Sequence, residues 1–571
     1  MKRSTWLILI VLLLVVVAAA IAVILTRINR DDIEQRVEPS DAVVLYFNAK
    51  QLYEKGAFEN YINEEQRKLL STVAGANLTN HEQRALIQEI AFDINASGVN
   101  FNVPMYAYVD SKEQSPTAII LVAEVSNIAQ VDKTMELIST SLESSNEGIL
   151  NIEHQGENRI FSYMGHYGGY NNTRLVLAVT LDDSDPMIHV TEALSRPLIK
   201  YNTFGKRDIA AFIELNKTLD ILEKMLASDI ERSRAELAEL EYEDPWIEEN
   251  IINDEKQLET FRKLRTDIPA GACLTTGLTF ELGKIVWDFE STGVDIDTEK
   301  YGIMRVNNNH LNYIDKEAIA LFNFGLNGEK CVLWVNELFN SLYNAQYGID
   351  RNTYNMVAAI TTDALKSING DITIALEDIT GTEYSYYNYH TGRYTTKAEL
   401  ESAKAIAMVD VTDSYIYSNV AQFTYGTLTP VGDKQLYANL NGEEVFFGEE
   451  NGILYAGLNS SLQSPEVNAT DTRWLTDVED GYGYIILDIK RLMQSSYIAS
   501  EYKAIKQDMN NIDAMLLDKI VDMSDYAYMN IDSTNSSEYV VVLTDSNTNA
   551  LKQLADNIMP LFISEIMSGI L

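Results

Sequence analysis

The sequence predicts an α+β protein with tandem β-α-β-β-α units, mixed and mostly antiparallel sheets, an inserted helical hairpin and one N-terminal transmembrane helix. Three observations lead to this fold class. An uncharged apolar run fills residues 6–25. The order strand, helix, strand, strand, helix recurs along the rest of the chain. A long amphipathic stretch interrupts the second of these repeats.

The membrane anchor is predicted from Trp6 to Leu25, a run without charge, glycine or proline. At 1.5 Å rise per residue it spans about 30 Å, the thickness of a bilayer hydrocarbon core. The apolar core of a cleavable signal peptide usually has about 7–15 residues, so a retained anchor is favoured over cleavage, the alternative. Lys2 and Arg3 precede the run and Arg27 and Arg30 follow it, so the difference in positive charge between its two sides is small. Because the leading segment is short, we expect a single-pass protein with a cytoplasmic N-terminus and a periplasmic or extracellular ectodomain.

The first α+β unit begins with a strand at 42–47, which ends at Asn48 and leads into a helical region. Strands at 105–109 and 118–125 and a helix at 131–142 follow. The same order recurs near the C-terminus, with strands at 484–487, 526–531 and 539–543 and a helix at 549–558. The segments "MYAYVD" and "DYAYMNID" are similar. We interpret this recurrence as an internal duplication.

Two further units are predicted between these copies. One begins at 209–215 and returns through strands at 272–280 and 284–290; the other begins at 318–324 and returns at 371–376 and 405–411. A helical crossover and a hairpin in each unit predict mixed sheets with helices on one face. The expected domains are 1–36 (anchor and stalk), 37–205, 206–310, 311–478 and 479–571.

The helical hairpin is expected at 217–265, inside the second unit. Leu219, Leu222 and Leu226 follow helical spacing, and Asp244 and Pro245 suit the start of a second helix. Such a hairpin buries its apolar stripe on itself and on its own sheet; the alternative is contact with a partner or a second copy.

Composition limits the function classes. The net charge is −40, and so acidic a surface repels phosphate backbones, which excludes nucleic acid as an expected partner. Cys273 and Cys331 could form one disulfide in an oxidising compartment. Two buried free thiols are the alternative, since free cysteine is among the most buried residue types.

No catalytic or cofactor motif is present. The chain lacks a nucleophile elbow, a phosphate-binding glycine loop, a zincin motif, an EF-hand and a dinucleotide fingerprint. The six histidines stand singly, and we predict neither a metal nor a cofactor. The acidic groups at 182–185 and 295–299 could offer oxygen ligands to calcium, but they lack the glycine and distal glutamate of a calcium loop. Asp185, before Pro186, better suits a helix N-cap.

Two tyrosine-rich loops are the candidate ligand-binding sites. Aromatic faces beside hydrogen-bonding groups could stack on sugar rings or peptide side chains, although tyrosines at the rim of a sheet are the simpler interpretation. The first loop contributes Tyr163, His166, Tyr167 and Tyr170; the second contributes Tyr384, Tyr386, Tyr387, Tyr389 and Tyr394.

Four segments carry a resemblance to a known family: "VEPSDAVVLYFNAKQLYEKG", "ASGVNFNVPMYAYVD", "SINGDITIALEDIT" and "SEYVVVLTDSNTNALKQLADNI". They resemble a family of uncharacterised bacterial envelope proteins, known as a domain of unknown function and usually found as lipoproteins of anaerobic gut bacteria. This chain differs in having an apolar anchor and no cysteine directly after it. The resemblance implies an envelope location and brings no activity.

These features together favour a membrane-anchored, non-enzymatic binding or scaffold ectodomain. Its expected partners are the membrane, through the N-terminal helix, and an envelope protein or glycan. The alternative is an extracytoplasmic hydrolase acting on glycan or envelope polymer, whose mark would be two carboxylates facing each other about 5–10 Å apart in a deep pocket.

Overall fold

The described residues of the computed structural model run from 42 to 570, apart from 62–63, 75–77, 79, 113–114, 145–148, 181–184, 197–203, 240–244, 294–297, 315–317, 333–361, 389–392, 425, 441, 460–476, 478–480 and 510. The predicted anchor at 6–25 lies outside these residues. Within them, no helix combines the length and the apolar character needed to cross a membrane.

The described chain groups into two compact units. The N-terminal unit contains the residues up to Glu281, with Trp287–Asp295 and Leu551–Pro560; the C-terminal unit contains Leu282–Val286, Ile296–Ala550 and the end of the chain. Each is described by itself below.

The described part of the N-terminal unit contains ten strands and seven α-helices. The strands are β1 (Val43–Phe47), β2 (Met105–Lys112), β3 (Ser115–Glu124), β4 (Asn151–Gln155), β5 (Asn158–Tyr163), β6 (His166–Tyr170), β7 (Arg174–Thr180), β8 (Ile209–Glu214), β9 (Cys273–Phe280) and β10 (Lys284–Thr292). The helices are α1 (Ala49–Gly56), α2 (Glu64–Ala74), α3 (His81–Phe92), α4 (Ile128–Ser144), α5 (Pro186–Ser195), α6 (Leu215–Glu239) and α7 (Pro245–Asp267).

The strands of this unit lie in the order β4-β5-β6-β7-β3-β2-β1-β8-β9-β10. Strand β1 is central, with Leu45 opposite Ala107 on one side and Ala211 on the other. One face of the sheet packs against α5, where Val190, Ala193 and Leu194 join a buried cluster. On the other face, α6 covers one end of the central strands through Ile221.

The C-terminal unit follows the short helix α8 (Thr298–Tyr301). Its strands are β11 (Ile303–Met304), β12 (Ala320–Asn327), β13 (Ile368–Asn388), β14 (Arg393–Val411), β15 (Thr429–Gly432), β16 (Gln435–Leu440), β17 (Glu443–Glu450), β18 (Ile453–Leu458), β19 (Gly483–Leu487), β20 (Ser524–Ile531) and β21 (Ser536–Leu543). Its helices are α9 (Tyr415–Phe423), α10 (Ile489–Gln494), α11 (Ser496–Asp508) and α12 (Asn511–Met523); α13 (Ala550–Ile570) ends the described chain.

The strand order of the C-terminal unit repeats that of the N-terminal unit. It reads β15-β16-β17-β18-β14-β13-β12-β19-β20-β21, with β11 pairing the end of β12. The central strand is β1 in one unit and β12 in the other, and a four-stranded meander returns to pair with β3 or β14. This equivalence assigns each strand of the N-terminal unit a counterpart in the C-terminal unit, and β11 is additional.

The predicted fold class of tandem units with mixed sheets is wrong. In each unit the described strands form an antiparallel sheet with helices, and every pairing of established register is antiparallel. The error has a physical reason. Strand β2 begins opposite the end of β1, with Met105 facing Phe47, so the helices between them return the chain to the same end of the sheet. A helical connection therefore joins antiparallel neighbours here, where the prediction assumed a parallel crossover.

Candidate functional site

An apolar trough lies on one face of the N-terminal sheet. A row of side chains crosses six strands from β7 to β9, and each member faces the next in established register. The row consists of Leu177, Leu121, Ala107, Leu45, Ala211 and Thr276. At 4.7–4.9 Å between neighbouring strands, it extends about 24 Å. A second row beside it contains Leu175, Phe47, Ile209 and Leu278.

The trough encloses a cavity of about 770 Å³. This volume lies within the range of about 300–1,000 Å³ that is typical of small-molecule sites. Small side chains on the floor, Ala107, Ala123 and Ala211, leave the space that leucines at the same positions would fill. The described residues that line the cavity include no Asp, Glu, Lys, Arg or His. The cavity therefore offers dispersion contacts and almost no polar recognition.

Polar bonds hold the walls of the trough in place. On one side the Nε1 of Trp287 donates to Thr276 Oγ1 at 2.8 Å, and this hydroxyl donates to the carbonyl of Asp288 at 2.9 Å. On another side the backbone N–H of Phe101 donates to Asn95 Oδ1 at 3.0 Å. These bonds fix the Trp287 side chain and the Phe101 backbone at the cavity and satisfy their polar groups.

Several lining side chains are exposed although they are large and apolar. Phe47, Leu121, Leu177 and Ile209 are between 38% and 46% exposed. Burial raises the pKa of Tyr46, beside the cavity, and although the hydrogen bond from Asn48 lowers it, the phenol stays neutral at physiological pH. An open apolar surface of this kind typically marks a binding site.

Sequence reasoning missed the trough, but a signal was present. The runs "AIILVA" in β3 and "LVLAV" in β7 are apolar without interruption, where a sheet with one wet face would alternate apolar and polar residues. Such runs indicate two apolar faces. One of them is the core against α5, and the other is the trough.

The first tyrosine-rich loop forms the β5–β6 hairpin and contributes mainly to the core. Tyr170 is buried, and its hydroxyl donates to Asp132 Oδ1 at 3.0 Å. Tyr163 and Tyr167 pack at the edges of two buried clusters. Only His166 is exposed, beside the turn at Met164 and Gly165. The three tyrosines of this loop therefore pack within the unit.

The second tyrosine-rich loop lies at the far end of the long β13–β14 ribbon. Tyr387 and Tyr394 face each other across the ribbon with ring centroids 5.3 Å apart. Tyr384 and Tyr386 are neighbours on the opposite face, 6.3 Å apart, and Lys397 Nζ lies over the Tyr386 ring. Tyr394 is 75% exposed. Tyr389 lies outside the described residues.

A catalytic-looking group lies in the C-terminal unit. His310 Nε2 is 2.9 Å from Asp410 Oδ1, and its Nδ1 is 2.8 Å from Thr373 Oγ1. This Asp–His–Thr order resembles a nucleophile with its base and orienting acid. However, His310 and Thr373 are fully buried, and the Thr373 hydroxyl donates to Asn323 Oδ1 at 2.9 Å. A substrate cannot reach that hydroxyl, so the group stabilises the fold.

The remaining candidates have structural roles or lie outside the described residues. In the part of the chain that is described, no three His, Cys, Asp or Glu side chains are grouped to hold a metal. Asp185 caps α5 by accepting from the Met187 N–H, as its position before Pro186 predicts, and Glu299 pairs with Lys330. The other members of the two acidic groups lie outside the described residues: Asp182, Asp183, Asp295 and Asp297.

Both cysteines are buried free thiols, the alternative to the disulfide. Burial, with a smaller contribution from Glu214, raises the pKa of Cys273 to about 12, and burial also raises the pKa of Cys331. Thiols that stay protonated are poor nucleophiles.

Comparison with known proteins yields little. No protein-family model matches the chain, and no curated protein matches it. A solved structure titled "Structure of crystal form IV of TP0453" is similar over 44% of this chain and 76% of that chain, with 13% identity and a TM-score of 0.21. At that TM-score the similarity carries no conclusion about fold or function.

Proposed function

We propose that the N-terminal unit binds the acyl chain of a lipid, as the ligand site of a membrane-anchored, non-enzymatic envelope protein. The observation that carries this proposal is the cavity of about 770 Å³, whose described lining residues include no charged side chain and whose rim leaves large apolar residues exposed. A membrane anchor, expected from residues 6–25, would keep such a site close to a source of lipid.

The shape of the trough favours a linear apolar ligand. The row from Leu177 to Thr276 extends about 24 Å, whereas one leaflet of a bilayer core is about 15 Å deep. An extended acyl chain therefore fits along the row. Burial contributes about 25 cal/mol for each Å² of apolar surface removed from water. An acyl chain that covers the exposed leucines therefore also stabilises the folded unit.

The chemistry of the lining disfavours other ligands at this site. Sugars and peptides need several hydrogen-bonding groups, whereas Trp287 Nε1 and Thr276 Oγ1 at this cavity already bond to each other and to the Asp288 carbonyl. A buried unpaired polar group of such a ligand would cost about 1–3 kcal/mol. The hydrolase alternative requires two facing carboxylates, and the described residues that line the cavity include none. A polar headgroup would stay outside, at the open side of the trough.

The test is photolabelling of the full-length protein in detergent with a diazirine fatty acid. We expect labelled peptides from β1, β3, β7 and β8, and competition by unlabelled fatty acid. The double variant Leu121→Glu with Leu177→Glu places two carboxylates in the trough. Because burying a charge against an acyl chain costs several kcal/mol, we expect at least about tenfold less labelling.

Two controls accompany this variant. Ile149→Glu puts a carboxylate on an apolar residue that is exposed elsewhere in the same unit, and we expect normal labelling. Leu121→Met keeps the apolar surface and should also label normally. Equal labelling of the double variant and the wild type would overturn the proposal.

A further inference from the structure

We infer that the C-terminal unit carries a second acyl-chain site, on the sheet face equivalent to the trough. This inference rests on the proposed function, because it assigns the same ligand class to the counterpart strands. The site is a row of side chains across β14, β13, β12, β19, β20 and β21: Ala407, Ile374, Phe322, Ile485, Met529 and Tyr539.

The register places these side chains on one face, directly opposite each other. Phe322 faces Ile374 on one side and Ile485 on the other, and Ile485 faces Met529. The residues between them along each strand point to the opposite face, where Leu321, Ala375 and Ile486 belong to the buried core. The row is therefore apolar surface that the described core does not use.

The ligand class of this row is inferred from the equivalence of its strands with those of the trough. Strands β14, β13, β12, β19 and β20 correspond to β3, β2, β1, β8 and β9, which form the trough floor. Phe322 thus occupies the strand of Leu45, and Ile485 that of Ala211. Phe322, Ile374 and Ile485 are between 37% and 49% exposed, close to the exposure of the trough rim. Ile374 and Ile485 lie on the counterparts of the strands that carry Ala107 and Ala211, so this row fills more space than the trough floor, but it is apolar at the same place in the repeated fold and suits the same class of ligand.

Neighbouring rows on this face extend the apolar surface. Val409 faces Ile372, which faces Phe324, on one side of the central row. On the other side Ala320 lies between Leu376 and Leu487. None of these residues is charged, so the surface suits a hydrocarbon chain and offers no partner to a charged ligand.

The test uses the same full-length protein and the same diazirine fatty acid, with labelled peptides assigned to each unit. We expect wild-type labelling of peptides from β12, β13 and β19 as well as from the trough. The double variant Ile374→Glu with Ile485→Glu should lower labelling of the C-terminal peptides at least about tenfold and leave trough labelling unchanged. Leu121→Glu with Leu177→Glu should do the reverse.

Controls separate binding from folding. Leu440→Glu changes an exposed apolar residue of the same unit away from the row, and we expect labelling at both sites. The single variant Ile374→Gln introduces no charge and should weaken C-terminal labelling with an unchanged melting curve, which keeps the test decisive if the double variant unfolds.

The outcomes distinguish the two proposals. Labelling of trough peptides alone overturns the second site and leaves the proposed function standing. Labelling of C-terminal peptides alone supports the second site and overturns the trough. No labelling overturns both. If the C-terminal peptides stay unlabelled while Ile374→Glu with Ile485→Glu converts a dimer into a monomer, the face is an interface between copies of this chain, and the inference fails.

Discussion

The hydrogen-bond network around His310 shows how single residues hold the C-terminal unit together. Asn323, fully buried, joins it by accepting from Thr373 and donating to the hydroxyl of Tyr484 at 3.3 Å. Asp371 accepts from the backbone N–H groups of Asn307 and Asn308 at 2.9 and 2.8 Å. Since unpaired buried polar groups are costly, each member depends on its neighbours.

Thr373→Val tests this network, because valine keeps the shape and removes the hydroxyl. His310 Nδ1 and Asn323 Oδ1 then lose a partner, and we expect the free energy of local unfolding to fall by about 1–3 kcal/mol. Hydrogen exchange of the β13 amides measures it. Thr373→Ser retains the hydroxyl and should lose clearly less; an equal loss in both variants would assign the effect to the methyl group.

A pH dependence follows from Asp410. Burial alone would raise its pKa, but hydrogen bonds from His310, from the Asp371 N–H and from Asn307, with the charge of His310, lower it below the ordinary value of 3.8. The folded pKa is thus below the unfolded one. The stability that Asp410 contributes is therefore full above the unfolded pKa and is lost as the pH falls through the folded value.

Asp410→Asn should make the unit less stable at pH 7 and should also flatten its loss of stability below about pH 4. Urea unfolding at a series of pH values measures both effects. Asp433→Asn, at an exposed carboxyl in the same unit, is the control and should follow the wild-type curve. An unchanged acid slope in Asp410→Asn would contradict the assignment.

Gly98 is a position where backbone shape and space both require glycine. Its φ is +87°, and an added Cβ would lie 2.4 Å from the carbonyl oxygen of Asn127, just before α4. Gly156 also has positive φ, at +65°, with open space around it. We expect Gly98→Ala to lower the melting temperature clearly more than Gly156→Ala, whose cost of about 1–2 kcal/mol comes from the backbone alone. Equal shifts would show that the clash relaxes.

The helical hairpin shows what amphipathic spacing can predict at the scale of elements. The stretch expected at 217–265 forms α6 and α7, and Ile230, Ile251 and Leu258 are buried between them. Trp246, in the first turn of α7, is 71% exposed, although an aromatic residue there suggests burial. The spacing of apolar residues identifies the apolar stripe of a helix. It does not identify how much of that stripe a neighbouring element covers.

Ile251 and its neighbour Ile252 form a matched pair for testing the hairpin. Ile251 is 7% exposed and Ile252 is 51% exposed. We expect Ile251→Ala to weaken hydrogen-exchange protection of α6 and α7 by about 2–5 kcal/mol, because it leaves a cavity, whereas Ile252→Ala should cost less than about 1 kcal/mol. Protection of β1 should change little in both. Similar losses of protection in the two variants would mean that α6 and α7 do not pack on each other through Ile251.

The strands were predictable where they are short and apolar. The expected strand at 42–47 is β1, and that at 526–531 lies within β20. The ribbon of β13 and β14, with 21 and 19 residues, far exceeds the short strands expected at 371–376 and 405–411. Its outer part is rich in Tyr, Thr and charged residues, which indicate a loop in sequence but pair well across a ribbon.

The trough could not be predicted from any one strand. Its rows bring together residues from β1, β3, β7 and β9, which are distant in sequence, and the pairing of β7 with β3 depends on the meander that the repeats did not include. Apolar runs indicate that a strand has two apolar faces. Which strands are neighbours, and where helices leave a face open, is decided by tertiary packing.

At the scale of the whole molecule, the repeated strand order places the second proposed acyl-chain site on the counterparts of the strands that carry the first. A sheet that is apolar on both faces needs a helix or a ligand to cover each face. Because the two units share one strand order, the same face is left uncovered in both. The net charge of −40 makes copies of the chain repel each other, which opposes their association through such apolar surfaces.

The predicted anchor would place the proposed acyl-chain sites close to a membrane. Twenty uncharged apolar residues at 6–25 should hold the protein in a membrane, so that acyl chains can pass to the trough without crossing much water. We expect the full-length protein to stay in the membrane pellet after alkaline carbonate extraction, whereas a variant lacking residues 2–36 should move to the supernatant.

Two substitutions sharpen this experiment. Leu12→Arg with Val16→Arg places two charges near the centre of the predicted helix, each costing about 2.5–3.5 kcal/mol for insertion, and should release the chain from the pellet. Leu12→Ile with Val16→Leu keeps the apolar character and should be retained. If the wild-type chain itself appears in the supernatant and lacks residues 1–25, the segment is a cleaved signal, and the lipid must reach the trough from solution or through another carrier.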